Sequence, residues 1–226
     1  MSSVFIDKLA PLPDYAAFQD PDARGCNPRR LTDVGRYFIN RLVDRGMLVE
    51  IDHLSYDTLL DVLDVVEARH YSGVVSGHGW IEDRDDIRAR LLALGGMVAP
   101  FNGPPSATAP QLLRNAKEMA PYPYFVGVGI GTDIMGVTGQ AAPDPDVTIT
   151  YPFTSYDGQV QFLPPRTGNR SFDYATGGLE HYGLLPEWLE NLRQVDEKNG
   201  TDSLQILMRS AEAYLQMWQR AEGAAR

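Results

Sequence analysis

Between residues 47 and 133 one pattern occurs four times: a short apolar run closes on small or polar residues, and a segment of helical periodicity usually follows. The runs are Met-Leu-Val-Glu-Ile at 47–51, Ser-Gly-Val-Val-Ser at 72–76, Gly-Met-Val-Ala-Pro-Phe at 96–101 and Tyr-Phe-Val-Gly-Val-Gly-Ile at 124–130. Nearly continuous hydrophobic strands alternating with helices are what buried parallel sheet looks like in sequence. The pattern predicts an α/β fold of the (β/α)8 TIM-barrel type, represented by about four β/α units plus C-terminal helices. In barrels of that class chemistry sits where the strands end. Three of the four runs end at a group able to bind a metal: His53, His78 and Asp133.

A chain of 226 residues, 43% hydrophobic, can bury a core of ordinary size. Its 20 basic and 30 acidic residues give a net charge of −10. That field repels phosphate backbones and anionic lipid, so no nucleic-acid partner is expected. No apolar run approaches the roughly 20 residues that cross a bilayer, so no membrane insertion is expected either. Met-Ser-Ser-Val-Phe-Ile-Asp-Lys at the start lacks the basic-then-apolar form of a signal peptide. As written, the chain reads as cytoplasmic, with secretion open if the true N-terminus lies elsewhere. The single cysteine, Cys26, excludes an intrachain disulfide and reads as structural.

Residues 1–30, with Pro11, Pro13, Pro21 and Pro28, read as an irregular lead-in to one unit spanning 31–226. A helix capped by Thr32 carries Val34, Tyr37, Phe38, Leu42 and Val43 at helical spacing and should stop at Gly46. After His53, Ser55 caps a helix with Leu59, Leu60, Val62, Leu63 and Val66 on its apolar face. The acidic run 82–86 reads as the solvated start of a third helix, and Pro110 as the start of a fourth. Residues 136–180, rich in Gly, Pro, Thr and Asp, read as a long loop excursion of the lid or binding type. Helices at 186–195 and 203–221 close the chain, within a C-terminal helical region of 186–221. The latter presents Leu204, Leu207, Met208, Ala211, Tyr214, Leu215 and Trp218 on one face.

Imidazole nitrogen and carboxylate oxygen together suit Zn2+ or a similar divalent ion, which acidifies bound water. His53 and His78 are therefore candidate metal ligands, and Asp133, beside that water, a candidate proton acceptor. Glycines on either side of His78 leave room for a ligand to approach the backbone. Asp52 reads either as a partner that orients an imidazole or as a surface acid. Trp80 and Phe101, just past strand ends, are candidates to line a pocket, with core packing as the alternative. His181 could face the same pocket from the excursion or cap a local turn. His70, at a helix end, reads as solvated.

At these residues the sequence resembles the amidohydrolase superfamily, most closely the membrane (renal-type) dipeptidases. The likeness rests on Gly-Met-Leu-Val-Glu-Ile-Asp-His-Leu-Ser, Val-Val-Ser-Gly-His and Gly-Ile-Gly-Thr-Asp-Ile-Met-Gly, and covers roughly residues 30–135. It implies that the four units correspond to barrel strands 5–8 and that His53 and His78 are the strand-five and strand-six metal ligands. Asp133 would be the strand-eight aspartate that handles the proton of the attacking water. Arg84 is the nearest counterpart of the arginine that grips the substrate carboxylate. The His-x-His or His-x-Asp ligands of strand one, and the bridging carboxylate of strand four, have no counterpart before His53.

The resemblance thus implies a metal-dependent hydrolase of an amide or peptide bond in a small, dipeptide-like substrate, with one or two Zn2+ in a complete site. The site in this chain is incomplete, which implies a second chain supplying strands 1–4 or a homo-oligomer. The alternative is a non-catalytic α/β interaction module, or an inactive remnant, that associates through open sheet edges.

Overall fold

The computed structural model describes residues 30–133 and 141–224. The lead-in before Arg30, with Cys26 and its prolines, and the Ile-Met-Gly end of the third motif lie outside the described residues. α1 (Asp33–Val43) begins where Thr32 accepts the Gly35 N–H through its side chain, and the chain turns at Gly46 with φ 64°. β1 (Val49–Glu50) follows, then α2 (Tyr56–Ala68), β2 (Val74–Ser76), α3 (Asp85–Ala93), β3 (Met97–Val98) and α4 (Pro105–Met119). Five buried aliphatic side chains of α2, Leu59, Val62, Leu63, Val65 and Val66, seat it in the core. Each contributes on the order of 1.5–3 kcal/mol.

The (β/α)8-barrel expectation is corrected. Among the described residues the parallel ladders lie in one three-stranded sheet in the order β1-β2-β3, with Val49 opposite Val74 and Val75 opposite Met97. The fourth run forms no ladder. It adds a single parallel bridge between Phe101 and Gly131, with Gly129 and Gly131 donating to Val98 and Pro100. Two physical reasons are visible. Gly127, Gly129 and Gly131 leave that run without the cross-strand side-chain pairs that hold a register. In addition, the sheet face that a barrel would turn inward is flanked by C-terminal helix, so helices stand on both faces and most of the regular structure is helical.

Beyond residue 141 the expected excursion is partly ordered. It holds two antiparallel hairpins, β4 (Phe153–Thr154) with β5 (Gln161–Phe162) and β6 (Arg166–Thr167) with β7 (Arg170–Ser171). A short helix α5 (Tyr174–Gly177) and a 3-10 turn (Tyr182–Leu184) follow. α6 (Leu185–Asn199) ends at Gly200 in the left-handed conformation. The predicted last helix is two, α7 (Ser203–Met208) and α8 (Ser210–Ala224). The break falls where the fourth run presses on it: a Cβ on Gly127 would lie 2.6 Å from the Arg209 carbonyl oxygen, and the Arg209 guanidinium sits 4.5 Å over the Phe125 ring.

Two predicted helix faces are also revised. Ile39 and Val43 bury α1, whereas Val34, Tyr37 and Phe38 are exposed. In α8 the core takes Ala213, Met217 and Ala221 and leaves Tyr214, Leu215 and Trp218 largely outside. The fourth helix starts at Pro105, so Pro110 lies inside it at the loss of one backbone bond. One continuous buried cluster runs from Ile39 through Trp188 to Ala221. Among the described residues no helix is long and apolar enough to cross a membrane.

Candidate functional site

The ends of β1 and β2 bring two imidazoles together. His53 Nε2 and His78 Nε2 are 2.7 Å apart, and the ring centroids are 4.6 Å apart in an edge-on arrangement. Asp52 is almost fully buried beneath them. It accepts from Ser76 Oγ at 2.6 Å and from the His78 backbone N–H at 2.9 Å, and its carboxylate also meets His78 Nδ1. A proton on Nδ1 donated to Asp52 fixes the tautomer: neutral His78 then presents Nε2 as an acceptor, and His53 donates to it. A cation bound to both nitrogens at about 2.0–2.1 Å would lie to one side of the line between them and displace that proton. His78 is oriented by a buried carboxylate in the manner of a metal-bound imidazole.

Backbone conformation marks the same rim. Among the described residues, His53 (φ 65°) and Asp133 (φ 44°) are two of three non-glycine residues in the left-handed region; the third, His70, terminates a helix. Such conformations cost on the order of 1–3 kcal/mol and concentrate at functional sites. Asp133 lies two residues beyond Gly131, which packs against His78: a Cβ there would be 2.6 Å from His78 Cα. The fourth run therefore ends beside the histidines. Even so, Asp133 does not complete a three-donor cluster, because among the described residues no three His, Cys, Asp or Glu side chains gather to hold a metal.

Around the pair, Trp80 is half exposed with its ring 4.2 Å from that of His53, while Phe101 is exposed and its backbone abuts Gly79. Arg84 stacks 4.8 Å over Tyr56, which opens α2 just past His53; it therefore faces the first loop rather than the imidazoles. His181 caps the 3-10 turn, accepting from the Gly183 N–H at 3.0 Å, with its ring edge on Phe172. Its neighbour Tyr182 accepts from Thr132 Oγ1 at 3.1 Å, so the excursion touches the end of the fourth run.

Three features of the surroundings are not apparent from the sequence pattern. Glu82 is buried, not solvated: it accepts from Asn115 at 3.0 Å and pairs with Arg114. Arg88, fully buried, grips both oxygens of Glu118 at 2.8 Å and donates to the Glu82 carbonyl at 2.6 Å, anchoring the loop behind His78. Glu118 first, and then Asp85, hold its guanidinium pKa above the ordinary value. Asn102, at the end of the third run, is buried with neither side-chain atom hydrogen-bonded. Glu82 gave a faint signal, as the first of several acids and the one nearest the strand end; Arg88 and Asn102 gave none. No family model matches the chain.

Proposed function

We propose that the paired imidazoles of His53 and His78 are ligands to a divalent metal, Zn2+ by the chemistry of the donors. We further propose that the site serves hydrolysis of an amide or peptide bond in a small, dipeptide-like substrate. The observation that carries the reading is the 2.7 Å approach of the two Nε2 atoms, with Asp52 buried behind His78. When bound, the ion supplies a Lewis acid that polarises a carbonyl and acidifies water. His53 and His78 hold it through Nε2, and Asp52 keeps His78 in the required tautomer. Asp133, at the end of the fourth run, accepts the proton of the attacking water and returns it to the leaving amine. Trp80 walls the site, whereas Arg84, stacked on Tyr56, and His181, capping its own turn, are given no part in it.

Two imidazoles alone make a shallow site, so a second chain or a second copy of this one completes it. Isolated chain should then bind Zn2+ weakly and turn over dipeptides slowly. Competition titration of Zn2+, run beside dipeptide turnover, tests this. His78→Ala should weaken binding by more than about 100-fold, the loss of one of two ligands; equal affinity in the variant would remove the metal reading.

A second reading, that of a non-catalytic interaction module, is favoured by the exposed apolar residues Val34, Tyr37 and Phe38 on α1 and Tyr214, Leu215 and Trp218 on α8. His78→Ala separates the two: it should cost metal binding under the first reading, and leave self-association measured by light scattering unchanged under the second.

A further inference from the structure

Glu50, the last residue of β1, lies between the buried Val49 and Ile51, is itself exposed, and points to the other face of the sheet. There it borders a groove of about 710 Å³ whose wall is otherwise mostly apolar, with Leu48, Val75, Met97, Ile130 and Leu215 among its residues. Among the described residues no cationic side chain pairs with it. What its carboxyl does engage is backbone: Oε1 accepts the Asp52 N–H at 3.0 Å and the Gly77 N–H at 3.3 Å. Those are the residues immediately before His53 and His78. Its other oxygen closes on Gly77, where a Cβ would stand 2.7 Å from Oε2.

One oxygen thus fastens the first peptide of both histidine-bearing loops to a single point on the strand. The fastening bears directly on His53, which follows Asp52 in the left-handed backbone region that few non-glycine residues occupy. Asp52 joins the loops a second time, one layer nearer the rim, through Ser76 and His78. Although Glu50 is exposed, the groove wall takes some water from its carboxyl, which with the like charge of Asp52 pushes its pKa up.

We propose that Glu50 is a positioning residue that sets the spacing of the His53–His78 pair by bracing both loops through Oε1. The proposal rests on the reading of that pair as a metal site. The test uses the full chain and Co2+, whose visible absorption reports ligand geometry, with thermal unfolding recorded in parallel. Glu50→Ala should weaken Co2+ binding by about 10- to 100-fold, the range for lost partners of metal ligands, and shift the absorption bands. Glu50→Gln, whose amide oxygen still accepts both N–H groups, should recover most of the affinity.

Glu50→Ala with wild-type affinity and an unchanged spectrum would overturn the proposal. So would Glu50→Gln falling as far as Glu50→Ala, since charge and not bracing would then be the cause. If His78→Ala binds Co2+ as the wild type does, the metal reading itself fails and this proposal with it. Nitrogen NMR of the metal-free imidazoles gives an independent reading: in Glu50→Ala the His53 and His78 Nε2 signals should separate toward those of isolated rings. Unchanged signals would also count against the brace.

Discussion

Asp52 at the sheet rim and Asp196 among the C-terminal helices are both buried carboxylates that collect donors from a neighbouring loop. Asp196 accepts from Thr201 Oγ1 at 2.6 Å, from Ser203 N–H and Oγ at 3.1 and 2.8 Å, and from Leu204 N–H at 2.8 Å. All four donors belong to the turn between α6 and α7 and the first residues of α7, so its charge is spent on capping a helix start. Asp52 accepts from Ser76 and the His78 backbone, but also meets an imidazole whose far nitrogen faces a second imidazole. Burial and saturation are shared by the two sites. What separates them is where the polarity is passed on: into the scaffold at 196, and out to the rim at 52.

The largest effect that could break this contrast lies on the scaffold side. Asp196→Ala leaves the Ser203 and Leu204 N–H groups buried without partners, and should lower stability by about 3 kcal/mol in chemical denaturation. Its zinc affinity should stay at the wild-type value. Asp52→Ala should do the reverse, weakening zinc by about 10- to 100-fold, equivalent to about 1.4–2.7 kcal/mol. If Asp52→Ala proves the more destabilising and leaves zinc binding alone, the rim carboxylate is only another structural cap.

The smallest effect concerns Glu187, buried at the start of α6. Its Oε1 accepts from Tyr151 Oη at 3.0 Å, and its Oε2 has no partner. Burial raises its pKa above the ordinary carboxylate value. The protonated form is therefore favoured in the fold, and the stability it contributes is complete below the ordinary value and lost as pH rises through the raised one. Glu187→Gln removes that dependence. Melting curves between about pH 4 and 8 should show the variant gaining on the wild type as pH rises; parallel pH profiles would contradict the assignment.

Legibility in the sequence followed how local the governing physics is. Thr32 and Gly46 bracket α1 because a cap and a left-handed turn are decided within one helical turn. His53 and His78 could be placed at one rim because parallel strands carry their ends to one side, and the coordinates set them in contact. The barrel was not a sound inference, since pattern alone does not show that the fourth run pairs through a single bridge or that α8 occupies the opposite face. Distance in the chain hid the rest. Arg88 reaches Glu118, and Asn115 reaches Glu82, across about thirty residues, so a run of acids looked solvated when its first member was buried. Glu50 is exposed, as a charged residue in alternation along a strand ordinarily is, and the alternation does not show that its carboxylate holds two loop peptides.

Gly131 allows a last deduction. A single methyl group there would collide with the Gly77 carbonyl and the His78 backbone, so the separation between the second and fourth runs is determined by a missing atom. Evolution or a library screen can vary the substituents around this rim, but every side chain placed at 131 acts as a wedge. The gap beside His78 thus has a lower limit of one hydrogen atom's width, and the reach of the residues beyond it, Asp133 included, is measured from that contact.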